Sequence, residues 1–232
     1  MKNALNQTII EANDVWKIYK RGKTDVEALR GVSFLVREGE IVTIMGPSGC
    51  GKTTLLNVIG GLDTPTKGNI KVNEIELSTL GESKLTKFRR ENIGFVFQFY
   101  NLLPNLTALE NVQLPLIAKG MPKKERFEKA KEFLQAVGLS DRLYHKPGEL
   151  SGGEQQRVAI ARAIAVQPSI VLADEPTGDL DTKTGEEIMG LLRKINELGQ
   201  TIIIVTHNEM IAKTTDRIIK LRDGKIIENS GS

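Results

Sequence analysis

Several stretches of this chain are apolar, or nearly so, without alternation: Ile41–Met45, residues 93–97, residues 170–173 and Thr201–Thr206. Runs of this length read as strands buried on both faces, as in a parallel sheet covered by helices. The early chain is patterned differently. Residues 9–20 read as strand, Val32, Phe34 and Val36 follow a period of two, and residues 68–72 return to strand, which fits a small antiparallel layer. A charged segment at 82–92 leads into the strand at 93–98, which ends on a polar residue, Gln98. From Phe99 to about Gln167 the character is helical. Phe127, Ala130, Leu134 and Val137 recur at helical spacing with Gly138 as the stop, whereas Leu114-Pro115 is expected to break the segment before it. Ile188, Leu191, Leu192, Ile195 and Leu198 define the apolar face of a later helix, and Asp223-Gly224 turns a hairpin within 218–227.

At 232 residues, 40% hydrophobic and 26% charged, the composition fits one large globular domain, or one core with an insertion. A net charge of +3 with only short basic pairs, Arg89-Arg90 and Lys123-Lys124, argues against a nucleic-acid partner. The single cysteine, Cys50, rules out an internal disulfide and suits a reducing compartment. No apolar run approaches the ~20 residues that span a bilayer, and the first residues lack the apolar stretch of a signal peptide. If the protein works at a membrane, another chain is expected to supply the crossing.

The strand Ile41–Met45 runs into Gly46, Pro47, Ser48, Gly49, Cys50, Gly51, Lys52 and Thr53, which fit G-x-x-x-x-G-K-[ST] (Walker A) without a mismatch, and an apolar helical segment starts at Thr54. In this pattern successive backbone N–H groups point inward at phosphate oxygens and the helix adds the positive end of its dipole. Lys52 would reach the β- and γ-phosphates and the Thr53 hydroxyl would bind Mg²⁺. A nucleoside-triphosphate site follows. Asp174 and Glu175 stand at the carboxyl end of the strand at 170–173, the edge where open α/β sheets bind ligands. Asp174 there would hold Mg²⁺, directly or through water, and Glu175 would accept the proton of an attacking water. Gln98 and His207 also end apolar strands. Either could be an ordinary strand-end residue, but Gln98, Glu175 and His207 together suggest one pocket. Gln98 read alone is equally an unremarkable glutamine or a sensor of the γ-phosphate and its metal.

Ser151 and Glu154 fit a capping box, yet Gly152 and Gly153 between them cost a helical first turn ~1 kcal/mol each. An anion against the bare N–H groups would offset that. Asp181 reads locally as a helix cap, Tyr19 as a half-buried strand tyrosine whose ring could instead stack on adenine, and Trp16 as core packing; His145 lies in a polar loop with no chemical role.

Taken in order, the phosphate loop, Gln98, Leu150-Ser151-Gly152-Gly153-Glu154, the strand ending in Asp174-Glu175, Asp181 and His207 resemble the ATP-binding subunit of an ATP-binding cassette (ABC) transporter over nearly the whole chain. The Leu-Ser-Gly-Gly element discriminates, since other phosphate-loop ATPases lack it. The resemblance implies an α/β fold of the P-loop NTPase class, with residues 1–98 and 167–232 as a RecA-like core plus an antiparallel β subdomain and 99–166 as an inserted α-helical subdomain. It implies a homodimer in the ATP-bound state, head to tail, with ATP between the 46–54 loop of one copy and Ser151, Gly152, Gly153 and Glu154 of the other. It also implies that Tyr19 stacks on adenine, that Gln98 couples metal and water to the membrane partner, that Glu175 is the catalytic base and that Asp181 communicates across the interface. His207 would contact the γ-phosphate and Lys52 would relieve charge. ATP and Mg²⁺ are the implied substrate and cofactor. Residues 95–104 and 106–116 are similar to the branch that contains the lipoprotein-releasing LolD and the macrolide-exporting MacB. A separate subunit on the cytoplasmic face, paired with transmembrane permease subunits, is therefore expected. Asp179 departs from the small or neutral residue usual at its position, and Glu154 from the frequent glutamine. A regulatory ATPase like FtsE is an alternative that sequence hardly separates from transport; a soluble ABC ATPase acting on nucleic acid or ribosomes would carry tandem cassettes or a coiled coil.

Overall fold

The computed structural model describes residues 7–22 and 24–231. In chain order the elements are β1 (Thr8–Arg21), β2 (Thr24–Arg37), β3 (Ile41–Met45), α1 (Lys52–Ile59), β4 (Lys67–Val72), β5 (Ile75–Glu76), α2 (Glu82–Asn92), β6 (Ile93–Val96), α3 (Ala108–Ala118), α4 (Lys123–Ala136), α5 (Gly152–Ile164), β7 (Ile170–Asp174), α6 (Thr182–Glu197), β8 (Thr201–Thr206), α7 (Glu209–Ala212), β9 (Arg217–Arg222) and β10 (Lys225–Gly231). The alternating early strands pair antiparallel in a four-stranded sheet of order β2-β1-β4-β5. The unalternated strands lie side by side in a six-stranded sheet, β10-β9-β3-β8-β7-β6, parallel from β9 to β6 with β10 antiparallel at one edge.

Burial on both faces is visible along β7 residue by residue. Ile170 and Leu172 join the hydrophobic cluster that contains α1 and the antiparallel sheet. Val171 and Ala173 join the one that contains α3, α4, α5 and α6. The same alternation splits β8, with Ile203 and Val205 on the first side and Ile202 and Ile204 on the second. A strand with apolar residues at every position is thus satisfied only where both faces are covered. The carboxyl ends of β3, β6, β7 and β8 open on one edge, the position from which Gln98, Asp174, Glu175 and His207 can meet.

Four expectations need correction. Pro115 does not break its segment: α3 runs through it to Ala118. A proline there removes one N–H from the ladder, but it sits in the last turns, and full burial of Val112 and Leu116 holds the helix together. Leu198 is not on the apolar face of α6; it is 89% exposed, because the helix ends at Glu197 and Gly199 takes φ +98°. The strand before Gln98 stops at Val96, so Gln98 lies in the following turn. Trp16 is only partly buried, its indole N–H donating to Asp14 at 3.0 Å. The charged stretch at 82–92, left without an assignment by its pattern, is α2, whose only buried apolar side chains are Leu85 and Phe88.

Candidate active site

The loop between β3 and α1 has its shape fixed from three directions. Gly51 takes φ +106°, and a Cβ there would lie 2.4 Å from the Ala28 carbonyl, so both backbone angle and space demand glycine. A Cβ on Gly46 would lie 2.1 Å from the Leu221 carbonyl of β9. The hairpin turn closes the third side: Gly224 N–H donates to the Cys50 carbonyl at 3.0 Å, and Arg30 N–H to the Gly224 carbonyl at 2.8 Å. Cys50 is buried behind the loop, so its backbone shapes the site and its thiol does not face it. The first turn of α1 contains no acidic residue and no side-chain cap, which leaves its N–H groups and positive dipole end for an anion. Lys52 folds back, its ammonium donating to the carbonyls of Gly46 at 2.8 Å and Pro47 at 3.0 Å.

Opposite the loop stand the strand ends. Asp174 Oδ1 lies 3.5 Å from Thr53 Oγ1, so the two expected metal ligands face each other. Burial raises the Asp174 pKa above the ordinary value, and the neighbouring Glu175 charge adds to this, against the hydrogen bond from Thr53 and the charge of Lys52. Glu175 has φ +45°, a left-handed conformation unusual for a side-chain-bearing residue, and is tied by its N–H to the Val205 carbonyl at 2.9 Å. Its carboxylate is held at both oxygens: Thr206 Oγ1 donates to Oε2 at 3.0 Å, and His207 Nδ1 lies 2.8 Å from Oε1. Gln98 Nε2 donates to Asp179 Oδ1 at 3.0 Å, which leaves its Oε1 as the end free to meet a cation.

These groups line one cavity of about 990 Å³, in which Pro47, Ser48, Gly49, Gly51, Lys52, Thr53, Thr54, Gln98, Asp174, Glu175 and His207 all take part. A hydroxyl, a carboxylate and an amide oxygen are hard donors, and too few to cage an ion. That suits Mg²⁺, which takes one or two protein ligands and completes its shell with substrate phosphates and water. Tyr19 stands outside the lining. Its ring is partly exposed, its hydroxyl donates to Asp63 at 2.7 Å, and the Lys17 ammonium lies 5.0 Å from the ring centroid. Burial alone would raise the Asp63 pKa, but hydrogen bonds from Lys17, Tyr19 and the Thr64 N–H hold it below the usual carboxylate value.

Ser151, Gly152, Gly153 and Glu154 are not among the described residues that line this cavity. They open α5 with the expected capping box: Ser151 Oγ accepts from Glu154 N–H at 3.2 Å, and Glu154 Oε2 from Ser151 N–H at 2.8 Å. The two glycines also answer to the chain's own packing. A Cβ on Gly152 would lie 3.0 Å from Tyr100 Oη, and one on Gly153 2.5 Å from Thr184 Cγ2. Asp181 caps α6 as its local pattern implies, accepting from Thr184 N–H at 3.0 Å.

Sequence reasoning missed the far wall of the cavity: Val26, Glu27, Ala28 and Arg30 of β2, with Asp223 and Gly224 of the hairpin turn. The turn was legible as a turn, but nothing local ties it to a loop more than 170 residues earlier. The parts of Thr206 and Asp179, which hold Glu175 and Gln98, likewise have no local sequence signal.

Comparison with known proteins agrees with this geometry. Residues 29–178 match the family model described as ABC transporter. The chain is 59% identical over 226 residues to an uncharacterised ABC transporter ATP-binding protein of Thermotoga maritima, covering 96% of each. It is 48% identical over 221 residues to the lipoprotein-releasing system ATP-binding protein LolD of Geobacter metallireducens, covering 95% of this chain and 98% of that one. Among solved structures it is similar, with a TM-score of 0.88 and 50% identity, to the cassette MJ0796 of Methanocaldococcus jannaschii in a dimeric post-hydrolysis state bound to ADP and Pi; the match covers 96% of this chain and 98% of that one. With a phosphate loop, an acid pair and a strand-end histidine around one cavity, and with these relatives matched over at least 95% of the chain, the chain belongs to the ABC transporter family as one of its ATP-binding proteins.

Proposed function

We propose that this chain hydrolyses MgATP as one half of a head-to-tail pair and drives a separate membrane permease from the cytoplasmic face. In this reading residues 1–98 and 167–232 carry the ATP site, and 99–166 carry the surface offered to the second copy's nucleotide. Among the described residues no helix is long and apolar enough to cross a membrane, so the crossing is assigned to the permease. The observation that carries the reading is Glu175: a carboxylate held by Thr206 and His207 in the lining of the cavity that the phosphate loop shares.

The residues act as follows. Backbone N–H groups of 46–54 and the α1 dipole receive the phosphates, and Lys52 exchanges its two loop carbonyls for phosphate oxygens. Thr53, Asp174 and Gln98 hold Mg²⁺, which when bound neutralises charge on the phosphates. Glu175 takes the proton from the attacking water, and His207, paired with Glu175 through Nδ1, turns its Nε2 edge to the γ-phosphate side, where donating to both partners at once takes the imidazolium. Tyr19 stacks on adenine, its ring oriented by Asp63 and Lys17. Ser151, Gly152, Gly153 and Glu154 meet the nucleotide of the second copy, and Asp181 lies beside that contact. The likeness to LolD supports release or export of a membrane-associated substrate as the work that hydrolysis drives.

The test is Glu175→Gln, which keeps the shape of the side chain and removes its basicity. Turnover should fall by at least about a hundredfold while ATP stays bound, and size-exclusion chromatography with MgATP should show a trapped dimer. A variant that stays monomeric at saturating MgATP would sink the paired arrangement.

A further inference from the structure

Two turns that close the cavity are gripped from outside it by α5. Gln156 is fully buried, and its Nε2 donates to the Pro176 carbonyl at 2.6 Å, one residue beyond Glu175. Its Oε1 is buried with no hydrogen-bond partner, so the amide is kept there at a cost for that one contact. Six residues on, Arg162 sends Nη2 to the Tyr100 carbonyl at 2.7 Å and Nη1 to the Asn101 carbonyl. Tyr100 and Asn101 have φ of +58° and +48°, and these successive left-handed residues offer both carbonyls to the one guanidinium. No carboxylate among the described residues forms an ion pair with Arg162, so this turn is its electrostatic partner; burial lowers its pKa accordingly.

We infer that Gln156 and Arg162 are positioning residues, holding the turns that present Glu175 and Gln98 to the nucleotide. Neither lines the cavity, so neither is placed to touch ATP. Their contacts are main-chain carbonyls beside residues in strained left-handed conformations, and strain of that kind persists only where surrounding structure over-determines it. Without the Gln156 donor the Pro176–Thr177 peptide can turn, the backbone just after Glu175 loosens, and the carboxylate leaves the grip of Thr206 and His207. Without the Arg162 fork the 98–101 turn relaxes and takes Gln98 away from the metal side. Since α5 begins at Gly152, with Tyr100 Oη against it, one rigid element meets the second copy at its tip and braces its own copy's catalytic turns along its length. The inference rests on the catalytic reading of Glu175 and Gln98.

The experiment compares Gln156→Met, which keeps volume and loses the donor, and Arg162→Lys, which keeps charge and loses the fork, in the full chain. For each, kcat and KM for MgATP, affinity for a fluorescent ATP analogue, the half-saturating Mg²⁺ concentration and the melting temperature are measured. Outer residues that orient ligands typically change activity 10–100-fold, so kcat should fall about tenfold or more with KM and nucleotide affinity within about twofold. Arg162→Lys should also raise the Mg²⁺ requirement. A purely structural role would lower the melting temperature and leave kcat and the Mg²⁺ requirement of the folded protein unchanged, and that result overturns the inference. If Gln156→Met does not fold, Arg162→Lys decides alone. Glu175→Gln is run alongside: if it hydrolyses at the normal rate, the catalytic reading fails and this inference with it. If it stops turnover while the α5 variants keep full kcat, only the brace fails.

Discussion

Asp174 and Glu175 are neighbours in sequence whose surroundings divide the work between them. Asp174 ends β7 partly buried, and burial followed by the Glu175 charge raises its pKa from 3.8 against the opposing pull of Thr53 and Lys52. For a raised acid, the penalty of burying the ionised form is present above the folded pKa and is relieved as pH falls through it toward the unfolded value. Mg²⁺ needs the ionised form, so protons compete with the ion at a higher pH than at an ordinary aspartate. The half-saturating Mg²⁺ concentration for hydrolysis should therefore rise as pH is lowered from about 8 to about 5, by more than in Asp174→Asn, which reports the titration of ATP itself. Identical curves for the two proteins would remove Asp174 from the metal. Asp179, the departure from the family pattern, has a definite task in this chain, since it takes the amide nitrogen of Gln98 and so orients the oxygen.

At the scale of elements, caps decide where helices begin at the sites that matter. Ser151 and Glu154 close a capping box at the head of α5, and Glu154 is held below the usual carboxylate pKa first by the Ser151 N–H, against burial, and then by Arg142. Ser151→Ala should cost about 1 kcal/mol, a drop of roughly 2–4 °C in the thermal midpoint for a chain of this size; an unchanged midpoint would mean that the cap contributes nothing. The signals that marked α5 and α6 were local hydrogen-bonding chemistry within four residues, which is why their starts were legible. α2 was not, because two apolar anchors in a run of charges leave almost no periodicity to read. Pro115 and Leu198 misled for the opposite reason. Their local preferences are real, but packing of Leu116 overrode the first and the exit of the chain at Gly199 ended the pattern before the second. The buried strands were the clearest of all, since a sheet covered on both faces admits few polar residues.

At the scale of the molecule, the phosphate-loop side of the site could be read from contiguous residues, and the far wall could not. Arg30 is bonded to the Asp223-Gly224 turn and the turn to the loop, both through the backbone, and such bonds carry no side-chain signature. The same construction has a practical consequence. The only cysteine, Cys50, is 4% exposed and packed beneath Gly46, with its carbonyl bonded to the hairpin turn. A thiol reagent can reach it only when loop and hairpin part, so its labelling rate clocks that opening in the unmodified protein. Bound MgATP should slow the clock in proportion to occupancy, read as thiol modification against time by mass spectrometry. Labelling that ignores nucleotide would show that the loop opens without regard to what it holds. The protein thus has a built-in probe, requiring no added fluorophore, for the moment its nucleotide site lets go.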